Sequence, residues 1–351
     1  MLLIIKSKKL KKYSMNKTYI IAEIGVNHNN NIKLAKKLIL IAKSTGCNAV
    51  KFQTFKAETL VKPGTKKVPY QKRNKKDKED HYRLIKNLEL SEKHHVILKK
   101  FCKKKKIEFI STPYDIESAK YLNKLGVKVF KTASADLHDF ELHNYLAKTK
   151  KPVIISTGMS SIKDVKKTIS IYKKYSNKKY SLLHCTSNYP CSDKSVNLNA
   201  MMELKKYTKT VGYSDHTTGS LTSCLAVSLG GKIIEKHFTL NKKMKGPDHK
   251  ASVDPMELKQ LVDNIRKTEI ILGSQNKSIQ PEERNMLKIS KKGLYFSRKL
   301  DQFSKISRKD LLNIRPANSF TSFDLSNFVG KKLKKKVSKY MPLKKDLFYE
   351  K

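Results

Sequence analysis

A short apolar run that ends in polar residues and gives way to an amphipathic segment recurs eight times between residues 18 and 273. The runs fall at 19–24, 49–54, 108–111, 129–133, 153–156, 181–184, 210–213 and 232–235. They are short and rich in β-branched residues, as strands buried on both faces are. Segments of helical period lie between them at 33–44, 92–105, 116–125, 140–148, 162–174, 201–207, 220–229 and 255–272. Ser91, Asp115, Asp139 and Asp254 stand just before four of these as N-caps. Strand–helix alternation implies a parallel sheet, and eight units fit a TIM (β/α)₈ barrel, with a doubly wound sheet as the alternative.

The strand ends favour the barrel, whose chemistry sits at the C-terminal ends of its strands. Those ends carry Glu23, Lys51 with Gln53, Ser111-Thr112, Lys131 with Ser134, Ser156-Thr157, His184, Ser214-Asp215-His216, and Glu235 with His237. Strand side chains alternate, so Glu235 and His237 share one face and Lys236 takes the other. His216 and His237, on neighbouring strands, can hold a Zn, Mn, Fe or Co ion that keeps open positions for water and substrate. Lys51, Lys131, Thr112, Ser134, Ser156 and Ser214 converge as an anion pocket, where charge-assisted hydrogen bonds are strong. Glu23 can orient or deprotonate water, or pair with Lys51 inside the barrel. Asp248, in Gly246-Pro247-Asp248-His249, can point a carboxylate at a hydroxylated substrate, with His249 behind it or at the surface. His28 and His184 read as structural.

One long connection, residues 56–87, breaks the rhythm and reads as a lid over the barrel mouth. Residues 1–17 read as a tail that begins at Met1 or Met15. Residues 274–286 are polar and read as a linker, and 287–351 as a second, small domain.

Composition narrows the function classes. Lys and Arg total 76 against 30 Asp and Glu, a formal net charge of +46, which raises a polyanion-binding protein on an inactive barrel as a rival. The excess is nearly all Lys, spread over every segment, without the Arg or interleaved aromatics of a base-reading or stacking surface. Specific nucleic-acid binding is therefore not expected. Five cysteines with no C-x-x-C suit a reducing, cytoplasmic setting. No apolar run approaches the roughly 20 residues of a membrane span.

Ile21-Ala22-Glu23-Ile24-Gly25-Val26-Asn27-His28-Asn29, Val50-Lys51-Phe52-Gln53-Thr54-Phe55 and Phe109-Ile110-Ser111-Thr112-Pro113-Tyr114-Asp115 follow one another along the chain. Ile155-Ser156-Thr157-Gly158-Met159, Leu183-His184-Cys185-Thr186, Gly212-Tyr213-Ser214-Asp215-His216, Glu235-Lys236-His237-Phe238-Thr239 and Gly246-Pro247-Asp248-His249 continue the set. In this order, over residues 18–335, the chain resembles the sialic acid synthase family, which includes N-acetylneuraminate, legionaminate and pseudaminate synthases. The resemblance implies a TIM barrel followed by a small C-terminal antifreeze-like (SAF) domain in a domain-exchanged homodimer. It implies a transferase for cell-surface carbohydrate that condenses phosphoenolpyruvate with N-acetylmannosamine. The alternative acceptor is a 2,4-diacetamido-6-deoxy hexose.

A divalent Mn²⁺ or Mg²⁺ on His216 and His237, and water held by Glu23, are implied with it. Lys51, Thr112, Lys131, Ser134, Ser156 and Ser214 are implied to hold phosphoenolpyruvate, and Gln53, Asp136, Tyr189, Glu235, Asp248 and Arg315 to face the sugar. One of these positions departs from the family's usual residue, and another keeps its residue in an altered motif. Asp136 stands where the family often has Glu, and Arg315 opens Arg315-Pro316-Ala317-Asn318-Ser319 where the family has Arg-Pro-Gly. A metal aldolase using pyruvate is a further alternative on the same barrel.

Overall fold

The computed structural model describes residues 17–67 and 80–349. The chain divides into two compact units, Met1–Gly273 and Ser274–Lys351.

The first unit opens with β1 (Tyr19–Gly25), α1 (Ile32–Ser44), β2 (Ala49–Thr54), α2 (Ala57–Leu60), α3 (His81–Leu88) and α4 (Glu92–Lys105). It continues through β3 (Glu108–Pro113), α5 (Ile116–Leu125), β4 (Phe130–Thr132), α6 (Phe140–Lys148), β5 (Val153–Ser156) and α7 (Ile162–Lys174). It ends with β6 (Tyr180–Cys185), α8 (Asp193–Val196), α9 (Ala200–Leu204), β7 (Val211–Asp215), α10 (Leu221–Ser228), β8 (Ile233–His237) and α11 (Pro255–Leu272). The eight strands form one sheet in the order β3-β2-β1-β8-β7-β6-β5-β4. Its hydrogen-bonded neighbours run parallel. β3 and β4, the two ends of that order, lie against each other and close the ring. The fold is a TIM barrel, as the eightfold alternation predicts.

Local chemistry sets the helices. Ser91, Asp115, Asp139 and Asp254 each accept a backbone N–H in the first turn of the helix that follows. A cap of this kind contributes about 1 kcal/mol. α11 adds Pro255 at its first position and a reciprocal bond from the Asp254 N–H to Glu257. The inward faces of the outer helices and the outward faces of the strands form one apolar layer that includes Leu38, Phe52, Leu98, Phe130, Leu146, Tyr172, Tyr213 and Leu261.

Residues 56–87, expected as a lid over the mouth, are partly helical. Residues 68–79 lie outside the described ones, but the flanking chain is helical in α2 and α3. Asp80 caps α3 by accepting the Arg83 N–H at 2.8 Å, and Leu84, Ile85 and Leu88 bury one face of it. Among the described residues no helix is long and apolar enough to cross a membrane. The five cysteines are free thiols, four of them buried.

In the second unit, residues 274–286 are exposed. α12 (Arg284–Ser290) follows, then the antiparallel pair β9 (Gly293–Phe296) and β10 (Leu311–Ile314). Leu294, Phe296, Leu311, Leu333, Val337 and Phe348 belong to its own apolar core.

Candidate active site

Two concentric layers of inward-facing side chains fill the barrel. Ile21, Ala49, Ile110, Ile154, Leu183 and Ile233 form the lower one, with Val129 packed against them. On β7 its place falls to Gly212, where a Cβ would sit 2.3 Å from the Ile233 carbonyl oxygen. Two residues further along each strand, on the same face, stand Glu23, Lys51, Thr112, Lys131, Ser156, Cys185, Ser214 and Glu235. The barrel changes from apolar to polar in one step of the pleat, at the C-terminal ends of the strands.

Four charges meet in this upper layer. The Lys51 ammonium lies 3.2 Å from Glu23 and 3.4 Å from Glu235, and donates to the Thr112 hydroxyl at 3.3 Å. Lys131 lies 3.7 Å from Glu235 and donates to the Ser156 hydroxyl at 2.5 Å and the Thr132 carbonyl at 2.9 Å. Glu235 also accepts from the Ser214 hydroxyl at 3.0 Å. Burial opposes ionisation of Glu235, but the two lysines outweigh it and hold its carboxyl down at about 2. Glu23 goes the other way. Burial and the Glu235 charge push it up to about 7, against the pull of Lys51. The layer therefore gains net positive charge as the pH falls through about 7, which suits an anionic ligand.

Burial also lowers Lys131 to about 8, although Glu235 pulls it up. An anion held by Lys131 needs the ammonium form, which is lost as pH rises through that value. The kcat/KM for an anionic substrate is accordingly expected to fall about tenfold for each pH unit above about 8. Lys131→Arg, whose guanidinium keeps its charge, should remove that limb. A profile flat to pH 10 in the unaltered enzyme would contradict this role for Lys131.

Above the charged layer stand the two histidines, their ring centroids 5.6 Å apart. The His216 Nδ1–H donates to the Thr186 carbonyl at 2.8 Å, which leaves Nε2 as the nitrogen that can face a metal. His237 is held neutral, first by burial and then by His216 and Lys51. Its Nδ1 is buried with no hydrogen-bond partner, and Asp248 Oδ2 is 3.9 Å away. The Tyr189 ring lies over His216 with a centroid distance of 4.1 Å and meets His237 edge-on at 5.5 Å. Burial opposes a charge on His216, but Cys185 and the Thr186 carbonyl raise its pKa above the usual value, so a neutral His237 beside a His216 that releases its Nε2 proton on binding fits the ligation of a divalent metal. Among the described residues no group of three or more His, Cys, Asp and Glu is placed to hold one. Water and substrate would complete the shell.

A cavity of about 410 Å³ opens over these groups. Of the residues read from the sequence, it is lined by Glu23, Lys51, Gln53, Lys131, Ser134, Ser156, Tyr189, Ser214, His216, Glu235, His237 and Asp248. Gln53 donates to Glu23 at 3.2 Å. Thr112 belongs to the charged layer but lies beneath Lys51 and does not line the cavity. Asp136 does not line it either. Two residues apart on a turn with three residues per turn, Ser134 and Asp136 cannot face the same way. Asp136 Oδ2 is enclosed without a partner, and burial with the Asp139 charge pushes its carboxyl up to about 7. Arg315 belongs to the second unit, where it is exposed.

Two strand-end readings are sharpened by the structure. On β6 the inward residue is Cys185, while His184 turns outward to stack on Tyr213 and bond the Val196 carbonyl at 2.6 Å. Of the two places expected for His249, behind Asp248 or at the surface, the first holds: it is fully buried and bonds the Thr239 hydroxyl at 2.6 Å. Lys236 faces outward as expected and pairs with Asp215 at 3.0 Å. Phe55, Leu60, Val61, His81, Ile85 and Tyr114 form the opposite wall of the cavity; residues 56–87 were expected over the mouth, but none of these six was singled out.

A closed barrel with a charged, hydroxyl-rich layer under paired imidazoles at the C-terminal mouth defines an α/β-barrel enzyme. Comparison with known proteins makes the assignment specific. The NeuB family profile matches residues 38–277, and the chain belongs to the NeuB family and is a synthase of it. It is 43% identical over 325 residues to the N,N'-diacetyllegionaminic acid synthase of Legionella pneumophila, covering 91% of each chain. It is 34% identical over 325 residues to the N-acetylneuraminate-9-phosphate synthase of Homo sapiens, covering 90% of this chain and 88% of that one. A crystal structure of the N-acetylneuraminic acid (sialic acid) synthetase from Leptospira borgpetersenii in complex with citrate aligns with a TM-score of 0.68 and 34% identity. That alignment covers 77% of this chain and 90% of the other.

Proposed function

We propose that the enzyme condenses phosphoenolpyruvate with the open-chain aldehyde of a 2-acetamido sugar, releasing inorganic phosphate and a nonulosonic acid. The observation that carries this reading is the placement of two buried ammonium groups and several hydroxyls directly beneath two ligand-ready imidazoles. One half of that arrangement suits an enol phosphate and the other an aldehyde.

Lys51, Lys131, Ser134, Ser156 and Ser214 hold the carboxylate and phosphate of phosphoenolpyruvate, with donors set in place before charge develops. C3 of the enol attacks the aldehyde carbon, and the aldehyde oxygen becomes a hydroxyl by taking up one proton, which is balanced by the proton that the water adding at C2 gives up through Glu23. Glu23 holds a water against C2 and takes its proton as the oxygen adds there. Carbon–oxygen cleavage of the resulting hemiketal phosphate then expels phosphate. Mn²⁺ or Mg²⁺, held by His216 and His237, would supply Lewis acidity at the aldehyde oxygen. Gln53, Tyr189, Glu235 and Asp248 position the sugar.

For the acceptor, the 43% relative named for diacetyllegionaminic acid, against 34% for the neuraminate-phosphate relative, supports a 2,4-diacetamido-6-deoxy hexose. N-acetylmannosamine, giving N-acetylneuraminate, is the second reading. The unit Ser274–Lys351 is read as an SAF-type domain that lends Arg315 to a partner's barrel mouth. A solution mass of a single chain would remove that part of the reading.

The deciding experiment supplies phosphoenolpyruvate labelled with heavy oxygen at its bridging position, Mn²⁺ and each sugar in turn. The label is expected to leave with phosphate in step with nonulosonic acid. Full turnover by a His216→Ala, His237→Ala double variant would overturn the metal assignment. Product from pyruvate without phosphate release would overturn the reaction.

A further inference from the structure

The cavity has two unlike sides. One is the charged layer with the imidazoles, already assigned to phosphoenolpyruvate and the aldehyde. The other is a wall on the β1–β3 side of the mouth, where Phe55, Leu60, Val61 and Ile85 face the same space. Its polar interruptions are the Tyr114 phenol and His81, the latter kept neutral chiefly by burial and then by Lys67.

This wall is fixed in place. Leu84, Ile85, Leu88, Ala57 and Phe55 pack into one apolar cluster behind it. The Ala57 N–H donates to Glu89 at 2.7 Å, and the Lys86 ammonium bridges Glu58 at 2.5 Å and Glu89 at 3.3 Å. Asp80 takes the Gly64 N–H at 3.1 Å as well as capping α3. The rim is thus tied to both of its short helices by ion pairs and backbone bonds.

We propose that the α2–α3 rim is the specificity element for the acceptor, and that Leu60, Val61 and Ile85 read apolar substituents at the far end of the sugar. The inference rests on the synthase reading above. An acceptor whose C1 aldehyde lies at the imidazoles of β7 and β8 must extend away from them, across Asp248 and Gln53, toward this wall. Both sugars keep a C5 hydroxyl, but N-acetylmannosamine would also present hydroxyls at C4 and C6 there, and a buried hydroxyl without a partner is costly. A 2,4-diacetamido-6-deoxy hexose presents an acetyl methyl and a C6 methyl to the wall. The neutral His81 ring can donate to the C4 amide carbonyl or accept its N–H. One methyl group in an apolar pocket changes discrimination by about 10- to 200-fold.

The test compares kcat/KM of the full-length enzyme with Mn²⁺ for 2,4-diacetamido-2,4,6-trideoxymannose and for N-acetylmannosamine. The enzyme is expected to prefer the trideoxy sugar by at least about tenfold. Leu60→Gln and Val61→Thr sit at half-buried positions and should not threaten folding. Combined, they are expected to reduce the preference ratio about tenfold, with the KM for phosphoenolpyruvate changed by less than about twofold. A preference for N-acetylmannosamine in the unaltered enzyme overturns the inference and leaves the synthase intact. Equal losses with both sugars in the variant also overturn it, since a merely structural rim would behave that way. Absence of phosphate release with either sugar overturns the synthase reading, and this inference with it.

Discussion

Glu23→Gln is expected to lower kcat for phosphate release by about 10²- to 10⁴-fold while changing the Kd for phosphoenolpyruvate only a few fold. The replacement keeps the shape of the side chain and removes its basicity. Glu23 is 1% exposed, and its Oε2 makes no hydrogen bond of good geometry even though the Lys51 ammonium is 3.2 Å away. A buried carboxyl raised to about 7 is matched to taking a proton near neutral pH. Lys51 keeps Glu235 as a charge partner in the variant, so the anion pocket should survive. Stability should hold or rise, because a buried acid that resists ionisation is replaced by a neutral amide. Phosphate release, calorimetric binding and the melting temperature separate these effects. A kcat within tenfold of the unaltered enzyme would mean that Glu23 serves only as the counter-ion of Lys51.

The charged layer was readable from the sequence because its logic is local. Strand side chains alternate, so a titratable residue two positions after an inward apolar residue must also face inward. Ile21 and Glu23, Ala49 and Lys51, and Ile233 and Glu235 obey this without reference to anything distant. The same rule would have placed Cys185 rather than His184 inside, since Leu183 is inward. Reading β6 as ending at 184 hid that phase, and a cysteine signals polarity less loudly than a histidine.

The segment of the apolar wall was readable as a covering of the mouth, but its members were not. Its members come from the ends of β2 and α2 and from α3, across a charged connection, and α2 is a single turn with no period to detect. The orientation of Asp136 was hidden for a related reason. Its position in a motif says which residue it replaces, whereas the tight turn after β4 decides which way it points.

The same alternation that sends His216 and His237 inward sends Asp215 and Lys236 outward, and the second large prediction concerns them. They are 1% and 2% exposed. Asp215 Oδ1 accepts the Thr217 N–H at 2.8 Å and its hydroxyl at 2.7 Å, and Oδ2 accepts the Ser223 hydroxyl at 2.6 Å. Lys236 lies 3.0 Å from Oδ2 and donates to the Thr217 carbonyl at 2.5 Å. The pair ties β7 to β8 between the positions of the two imidazoles. Removing one partner leaves a buried charge uncompensated, so Asp215→Ala or Lys236→Met alone is expected to cost about 3–5 kcal/mol and on the order of 10 °C in melting temperature. Replacing both with apolar residues of similar volume, Asp215→Val with Lys236→Met, should recover most of that loss. Mn²⁺ affinity then distinguishes packing from positioning. If the pair sets the approach of the two histidines, the recovered double variant will still bind Mn²⁺ at least about tenfold more weakly than the unaltered enzyme. Unaltered Mn²⁺ affinity in that stable variant would reduce the pair to a packing element. A single variant that loses less than about 1 kcal/mol would show that neither charge depends on the other, contrary to their burial.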